Sequence, residues 1–441
     1  MDWEGLENEA VGLLREYVRI DTSNPPGNEA AGAGFLASVL AGEGIESTIY
    51  ESAPGRASLV ARLPGEGRGK PLILMNHIDV VPAEASKWEV HPFSGELSDG
   101  YIWGRGTLDM KGMGIMELAA FIAARRQGLR LARDVVFLAC ADEEAGGDFG
   151  VAYLMDNHPG ELEADLVINE GGFANTTLIG GVPLFMVASA EKYAMWLKLS
   201  LVGEGGHGSM PSGRGALERL VTALARLLAV EQPVEISRPT QDLLGTLAEH
   251  WPFLDAYRED GSADTLKRLV VENNLTAIPA FNAMVRNTIS LNVLNCGAKV
   301  NVIPDEAEAH LDCRLLPRTV PDEFVRSVRE ALDDPGIDVD VVLLGISTGQ
   351  SPTEGGFFET LKRTVEGCYQ GAVVTPFMLP GMSDSRFFRR LGVPVYGIVS
   401  ARLGLEELSS VHGVNEKISV EDLLDGVRFM YALVEACAGA E

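Results

Sequence analysis

Apolar positions first recur at helical spacing, at Leu6, Leu13, Leu14, Tyr17 and Val18. The Asp21 to Asn28 stretch, with its Pro25-Pro26-Gly27, ends that periodicity before a second helix begins. The pattern then shortens. Ser58 to Leu63, Leu72 to Met75, Val135 to Cys140 and Leu166 to Ile168 are brief apolar runs separated by helical or turn-rich segments. This is the pattern of strands in a largely parallel sheet buried on both faces. A helix over Met113 to Arg126 falls between two of them. In α/β sheets of this kind ligands bind beyond the carboxyl ends of the strands, which directs attention to the polar residues that follow the runs: His77, Glu143 and Glu170.

From about Glu191 the character changes to an amphipathic strand, Trp196 to Val202, a helix, Ala216 to Val230, and a helical, charge-rich stretch through about Asn274. Strands over Thr288 to Leu294, Glu306 to Leu316 and Val339 to Leu344 follow, with a helix over Glu323 to Leu332. Gly345 to Gly356 reads as a return linker. Alternation of helix and strand then resumes through Phe357 to Tyr369, Val373 to Leu379, Pro394 to Val399 and Val420 to Ala436. The expected organisation is an α/β domain of mostly parallel sheet, residues 1–190 and 350–441, with a second α+β domain, 191–349, inserted in it.

The chain's 441 residues exceed what one hydrophobic core usually supports, in keeping with two domains. Its formal net charge of −27 disfavours nucleic-acid phosphates and anionic membrane surfaces as partners. Met1-Asp2-Trp3-Glu4 lacks a basic leader region, and no apolar run approaches the ~18 residues of a membrane span. Five scattered cysteines without C-x-x-C spacing suggest neither a disulfide framework nor a thiolate metal site. The expectation is a cytoplasmic protein that binds neither membrane nor nucleic acid.

His77-Ile78-Asp79 follows the Leu72 run, and a ligating imidazole is commonly oriented by a carboxylate on its other nitrogen. Alone the tripeptide also fits an ordinary turn. Gly104 to Gly112 is a glycine-rich turn carrying Asp109 into a helix; a phosphate loop fits it poorly, because Lys111 is followed by Gly112 and not by Ser or Thr. Asp142-Glu143-Glu144 places adjacent acids after a buried strand, which is costly unless a positive charge sits between them, although a solvated acidic turn fits the tripeptide too. Glu170 before Gly171-Gly172, and His412 in Val411 to Glu416, complete a series of His, Asp, Glu-Glu, Glu and His on post-strand loops of one sheet.

That series resembles the aminoacylase, carboxypeptidase G and acetylornithine deacetylase family of co-catalytic zinc hydrolases, along nearly the whole chain. The resemblance implies two Zn²⁺ ions per chain, with Asp109 bridging, His77 and Glu170 completing one metal and Glu144 and His412 the other. Nitrogen and oxygen donors also suit cobalt or manganese. Asp79 is similar to the partner of His77, and Glu143 to the family's general base acting on water between the metals. The Asp109-Met110 bond resembles the family's cis peptide.

In the inserted segment Gly205 to Ser209 resembles the family's lid, whose histidine, here His207, polarises the scissile carbonyl; a surface histidine is the competing reading. Arg314 resembles the arginine that grips a substrate carboxylate, its planar fork suiting that group, against a local salt bridge with Asp312. Asn301 and Ser383 resemble further polar contacts, the latter where Gly381-Met382-Ser383-Asp384 departs from the commoner Gly-Gly-Thr-Asp. His91, His158, His250 and His310 lack a matching context. The implied activity is hydrolysis of an amide bond next to a free carboxylate in a short peptide or N-acyl amino acid, closest to the carboxypeptidase S and N-acyl-amino-acid hydrolase branch. Deacetylation or desuccinylation of a biosynthetic intermediate, and a non-catalytic binding homologue, stay open. A homodimer through the lid is implied as well, with His207 serving either its own or its neighbour's site.

Overall fold

A computed structural model describes residues 2–440. The chain divides into two compact units. One takes in the chain up to Ser189, Gln350–Phe377 and the chain from Ser383 on; the other takes in Ala190–Gly349 and Met378–Met382.

In the first unit the described residues form an eight-stranded sheet in the order Ser47–Ala53, Arg56–Leu63, Val135–Cys140, Leu72–His77, Leu166–Asn175, Val395–Leu403, Leu184–Glu191 and Val373–Leu379. The four central strands run parallel to one another, and antiparallel strands flank them. Leu72–His77 and Val135–Cys140 are buried along their whole length, which is why they read as continuous apolar runs. Their register pairs Leu72 with Val135 and His77 with Cys140, so both chains leave the sheet at the same level. Ile78-Asp79 and Ala141 to Glu144 therefore emerge side by side.

Leu166–Asn175 is longer than its apolar run. It pairs with Leu72–His77 only as far as Ile168, opposite Leu74. It then bulges against Val395–Leu403: Gly397 faces Asn169, but Val399 faces Phe173. Glu170 is thus held in a strand bulge and not on a post-strand loop as expected. Polar and glycine residues after Ile168 hide this continuation from an apolar-run criterion.

The helix Lys111–Arg126 is buried on nearly all sides, as its apolar circumference of Ile115, Met116, Leu118, Phe121 and Ile122 requires. Each such side chain contributes about 1.5–3 kcal/mol on burial. Gly426 lets the C-terminal helix Val420–Ala438 approach it closely: a Cβ there would lie 2.3 Å from Met116 Sδ.

The second unit is built on an antiparallel sheet ordered Thr288–Cys296, Glu306–Leu315, Tyr193–Val202 and Ile337–Leu344. Leu311, Cys313 and Leu315 are buried with Leu220, Leu224, Phe324 and Val328 of the helices Ala216–Ala229 and Pro321–Leu332, in a core of its own. The alternation read from Glu306 onward matches this burial. The helical insertion extends to Pro279–Val285, beyond the expected Asn274. Its helices Arg238–Ala248 and Ala263–Glu272 are capped by Ser237 and Ser262, and they bury Leu243, Leu247, Leu266 and Val270. No helix of the described residues is long and apolar enough to cross a membrane.

The division departs from the expected 350–441 segment at Met378–Met382, because the backbone N–H of Lys192 donates to Leu379 O at 3.0 Å. The Lys192 side chain is buried, and its Nζ donates to Arg286 O at 2.9 Å and to Thr288 Oγ1 at 3.1 Å. Burial, reinforced by Arg314, lowers its pKa from 10.5 to about 7. The folded state therefore holds this proton less tightly than the unfolded chain. Stability should rise as pH increases from about 7 to about 10.5 by up to ~1.4 kcal/mol per unit from this group. Unfolding of Lys192→Met across that range is expected to show a flatter pH dependence than wild type, and an unchanged slope would contradict the burial argument.

Candidate active site

Five of the sequence-derived residues meet at the carboxyl end of the central strands. His77 is almost fully buried, and its Nε2 lies 2.9 Å from Asp109 Oδ1 and 3.6 Å from Glu170 Oε1. His412 approaches from the opposite side, its Nε2 3.0 Å from Asp109 Oδ2 and 3.2 Å from Glu144 Oε2. Asp109 thus offers one oxygen to each imidazole. Glu143 stands beside them, with a carboxylate oxygen within 4.8 Å of donor atoms of His77 and Glu170. The Asp109-Met110 peptide is cis.

The expected role of Asp79 changes in detail. His77 Nδ1 lies 2.8 Å from the backbone oxygen of Asp79, while the carboxylate oxygen Oδ1 is farther away, at 3.7 Å. The carboxylate instead accepts the backbone N–H groups of Glu143 and Glu144, each at 3.1 Å, and the Asn24 amide at 2.8 Å. It therefore fixes the turn Glu143–Ala145 as a unit. That turn enters through Asp142 at φ 71°, a left-handed conformation costly for a residue other than glycine. Asp142 is held there by Arg56 at 2.6 Å and Asn24 at 3.0 Å.

The electrostatics follow from packing acids together out of water. Burial raises the Glu143 carboxyl well above its ordinary range, with Glu170 adding to it. Burial and then Asp109 push Glu170 up to about 7. His412 rises to about 10 through hydrogen bonds to Asp109 and Glu144. Burial works against the charged form of His77, yet Glu170 and Asp109 outweigh it and raise this imidazole as well. Burial also opposes ionisation of Asp109, but the two imidazoles prevail and hold its carboxyl below the usual range.

This donor set fits divalent cations. It offers two imidazoles and several carboxylates without thiolate, and His77, Asp109 and Glu144 present atoms within 4.8 Å of one another. Glu144 Oε1 is buried with no hydrogen-bond partner among the described residues, a position that calls for positive charge.

The remaining residues fall as follows. His207 is exposed in the second unit, on a short ribbon where it faces Val302, and its Nδ1 lies 2.8 Å from Ser209 Oγ. Asn301, in the turn just before Val302, accepts the Gly208 N–H through its backbone oxygen at 2.9 Å. Arg314 makes the local bidentate pair with Asp312, at 2.9 and 3.1 Å. Ser383 is buried in the first unit, and its backbone oxygen accepts from Arg386. His310 pairs with Glu308 at 2.6 Å.

Besides Arg56, three residues near the site are not singled out by the sequence motifs. Asn24 joins Asp79 to Asp142 from a turn that signalled only the end of a helix. Glu416, buried, accepts the N–H groups of Leu108 and Asp109 at 2.7 and 3.1 Å; its place in Val411 to Glu416 was a signal available in the sequence. Asp384 is buried with neither carboxylate oxygen hydrogen-bonded among the described residues, and burial raises its pKa to about 7.

A mixed sheet with a carboxylate-imidazole cluster at its carboxyl edge defines a metallohydrolase of the peptidase and amidohydrolase type. The chain belongs to the peptidase family M20/M25/M40, whose profile matches residues 73–436. It is 31% identical over 373 residues to an N-fatty-acyl-amino acid synthase/hydrolase of Xenopus tropicalis, covering 83% of this chain and 72% of that one. A probable carboxypeptidase S-like protein of Dictyostelium discoideum is 30% identical over 375 residues, covering 83% and 71%. Among solved structures, an M20 family metallo-carboxypeptidase of Sulfolobus solfataricus superposes with a TM-score of 0.73 at 18% identity, over 97% of this chain and 98% of that one, a likeness of fold.

The bulge that presents Glu170 depends on glycine. A Cβ at Gly397 would lie 2.0 Å from Glu170 O, so Gly397→Ala must push the Glu170 backbone away. Because a displacement near 1 Å at a reacting centre can cost about 100-fold in rate, Gly397→Ala is expected to lower turnover by about that factor while the protein stays folded. Wild-type turnover in a folded variant would remove Glu170 from the working site.

Proposed function

We propose that this protein is a two-zinc hydrolase that cleaves an amide bond next to a free carboxylate, in N-acyl amino acids or at the C-terminus of short peptides. The observation that carries this reading is Asp109 set between two imidazoles, each also facing a second carboxylate. His77, Asp109 and Glu170 would hold one ion, and Asp109, Glu144 and His412 the other. Bound there, a pair of divalent cations supplies Lewis-acid charge and lowers the pKa of water to near 7. Glu143, beside His77 and Glu170 and raised in pKa by burial, is the group that takes the attacking water's proton and returns it to the leaving amine. His207 is the donor for the developing oxyanion, and Arg314 the fork for the substrate carboxylate once it exchanges Asp312 for that group. Asn301 and Ser383 supply further hydrogen bonds to substrate. The names of the two sequence relatives, an N-fatty-acyl-amino acid synthase/hydrolase and a probable carboxypeptidase S-like protein, support a substrate carrying a carboxylate beside the scissile amide.

Dimerisation through the second unit belongs to the same reading. Val221 and Leu228 are exposed on the helix Ala216–Ala229, and Val341, Val342 and Leu344 on the edge strand Ile337–Leu344, an apolar face and an unpaired edge of the kind a second copy covers. A cytoplasmic setting completes the proposal.

Glu143→Ala should keep both zinc ions by elemental analysis yet lower turnover on N-acyl amino acids by ~10²–10⁴. A chelator should abolish wild-type activity reversibly. Loss of metal in Glu143→Ala would make that residue a ligand and not the base, and comparable turnover on substrates whose carboxylate is amidated would sink the substrate assignment.

If His207 serves the neighbouring subunit, mixing Glu143→Ala with His207→Ala under subunit exchange should restore about a quarter of wild-type sites, since half the dimers are mixed and each has one intact site. No recovery after verified exchange would place His207 over its own subunit's metals.

A further inference from the structure

Two loops that contribute to the cluster are fastened to each other by a buried ion pair that no part of the reading above requires. Glu416 is fully buried. Its Oε1 accepts the N–H groups of Leu108 and Asp109 at 2.7 and 3.1 Å, and its Oε2 accepts Gly106 N–H at 3.1 Å and Arg105 Nη1 at 2.5 Å. Its backbone oxygen accepts Gly104 N–H at 2.9 Å. Arg105, almost as buried, reaches back with Nη2 to Gly413 O at 2.7 Å and lies over the Trp88 ring at 5.3 Å. The turn that carries Asp109 and the loop that carries His412 are thereby tied at both ends of one pair.

The tie has something to hold. His412 and Asn415 sit at φ 58° and 61°, left-handed conformations that residues other than glycine seldom keep unless their surroundings impose them. Arg105 secures the carbonyl that follows His412, and Asn415 Oδ1 accepts Glu89 N–H at 2.9 Å. On the other side, the Asp109 N–H is bonded while its carboxylate faces both imidazoles.

We propose that Glu416, acting with Arg105, is a positioning residue that sets the distance between Asp109 and His412 and so tunes metal affinity. The pair touches neither substrate nor reacting atoms. It works by presenting four hydrogen-bond donors of one turn with a single charged acceptor, and by clamping the His412 loop to that turn. The inference rests on the reading of the cluster as a metal centre.

The test uses full-length wild type, Glu416→Gln and Arg105→Lys. Each is stripped of metal and titrated with zinc against a competing chelator, then with cobalt to record its visible absorption. The amide of Glu416→Gln turns one acceptor into a donor facing donors, and loss of such outer partners typically weakens metal binding 10–100-fold. That loss of zinc affinity is expected, together with an altered cobalt spectrum and a fall in kcat with little change in KM. Arg105→Lys keeps the charge opposite Glu416 but cannot span to Gly413 as well, and should show a smaller loss in the same direction. Folding of the metal-free proteins is checked by melting, since a purely structural pair would lower the melting temperature and leave zinc affinity and the cobalt spectrum unchanged. Folded variants with wild-type affinity and spectrum overturn the proposal. So does failure of both variants to fold, which would make the pair a fold element; if only one folds, its affinity decides. Wild type that binds no zinc overturns the metal-centre reading itself.

Discussion

Everything at the carboxyl edge of this sheet answers one constraint: several carboxylates must be held within a few ångströms of one another, largely out of water. Asp109, Glu143, Glu144 and Glu170 repel, and burial further opposes ionisation of Glu143 and Glu170. A chain free to relax would separate them. The fold prevents this by anchoring the backbone that carries them. Backbone N–H groups of Glu143 and Glu144 are spent on Asp79, and those of Gly106, Leu108 and Asp109 on Glu416. The acids that point outward are thus positioned by acids that point inward.

The arrangement makes the parallel sheet more than a scaffold. Because His77 and Cys140 are paired in register, the turns after them start level, and Asp79 can receive two amides from the turn that follows the neighbouring strand. A shift by one residue would move the Asp79 carboxylate by about 3.3 Å and turn it to the other face of the sheet. Such precision is available where strands are buried on both faces and their register is fixed by packing. The left-handed residues Asp142 and His412 show where this is not enough and side-chain bonds must impose the backbone conformation.

How much of this was legible in the chain depends on how local the signal is. The apolar run Val135 to Cys140 matches its strand end to end, because six buried residues leave no polar interruption to misread. His77, Asp109 and Glu144 could be read because each lies beside a strand end or a glycine-rich turn, whereas His412, expected on a post-strand loop, follows the helix Leu405–Ser410 and was read from its motif Val411 to Glu416. Glu170 was found but misplaced: a bulge is defined by the partner strand, and Gly397, which makes room for it, lies more than two hundred residues away. Asn24 and Arg56 were out of reach for the same reason, since their bonds to Asp142 span 118 and 86 residues. Side-chain direction was also beyond the sequence. Alternation placed Arg314 and Asp312 on one face, but the two carboxylate bonds that close the pair are a property of rotamers.

The same distinction bears on what a change of residue does here. Replacing a group that faces the cluster alters which charges confront one another, whereas replacing Asp79 or Glu416 leaves those charges in place and frees the loops beneath them. Repulsion then acts on a backbone that no longer resists it, and the acids drift toward water. A fixed set of ligating side chains therefore does not by itself specify a metal centre. The buried inward-facing acids, with Asn24 and Arg105 as their partners, decide whether the outward-facing ones stay close enough to act together.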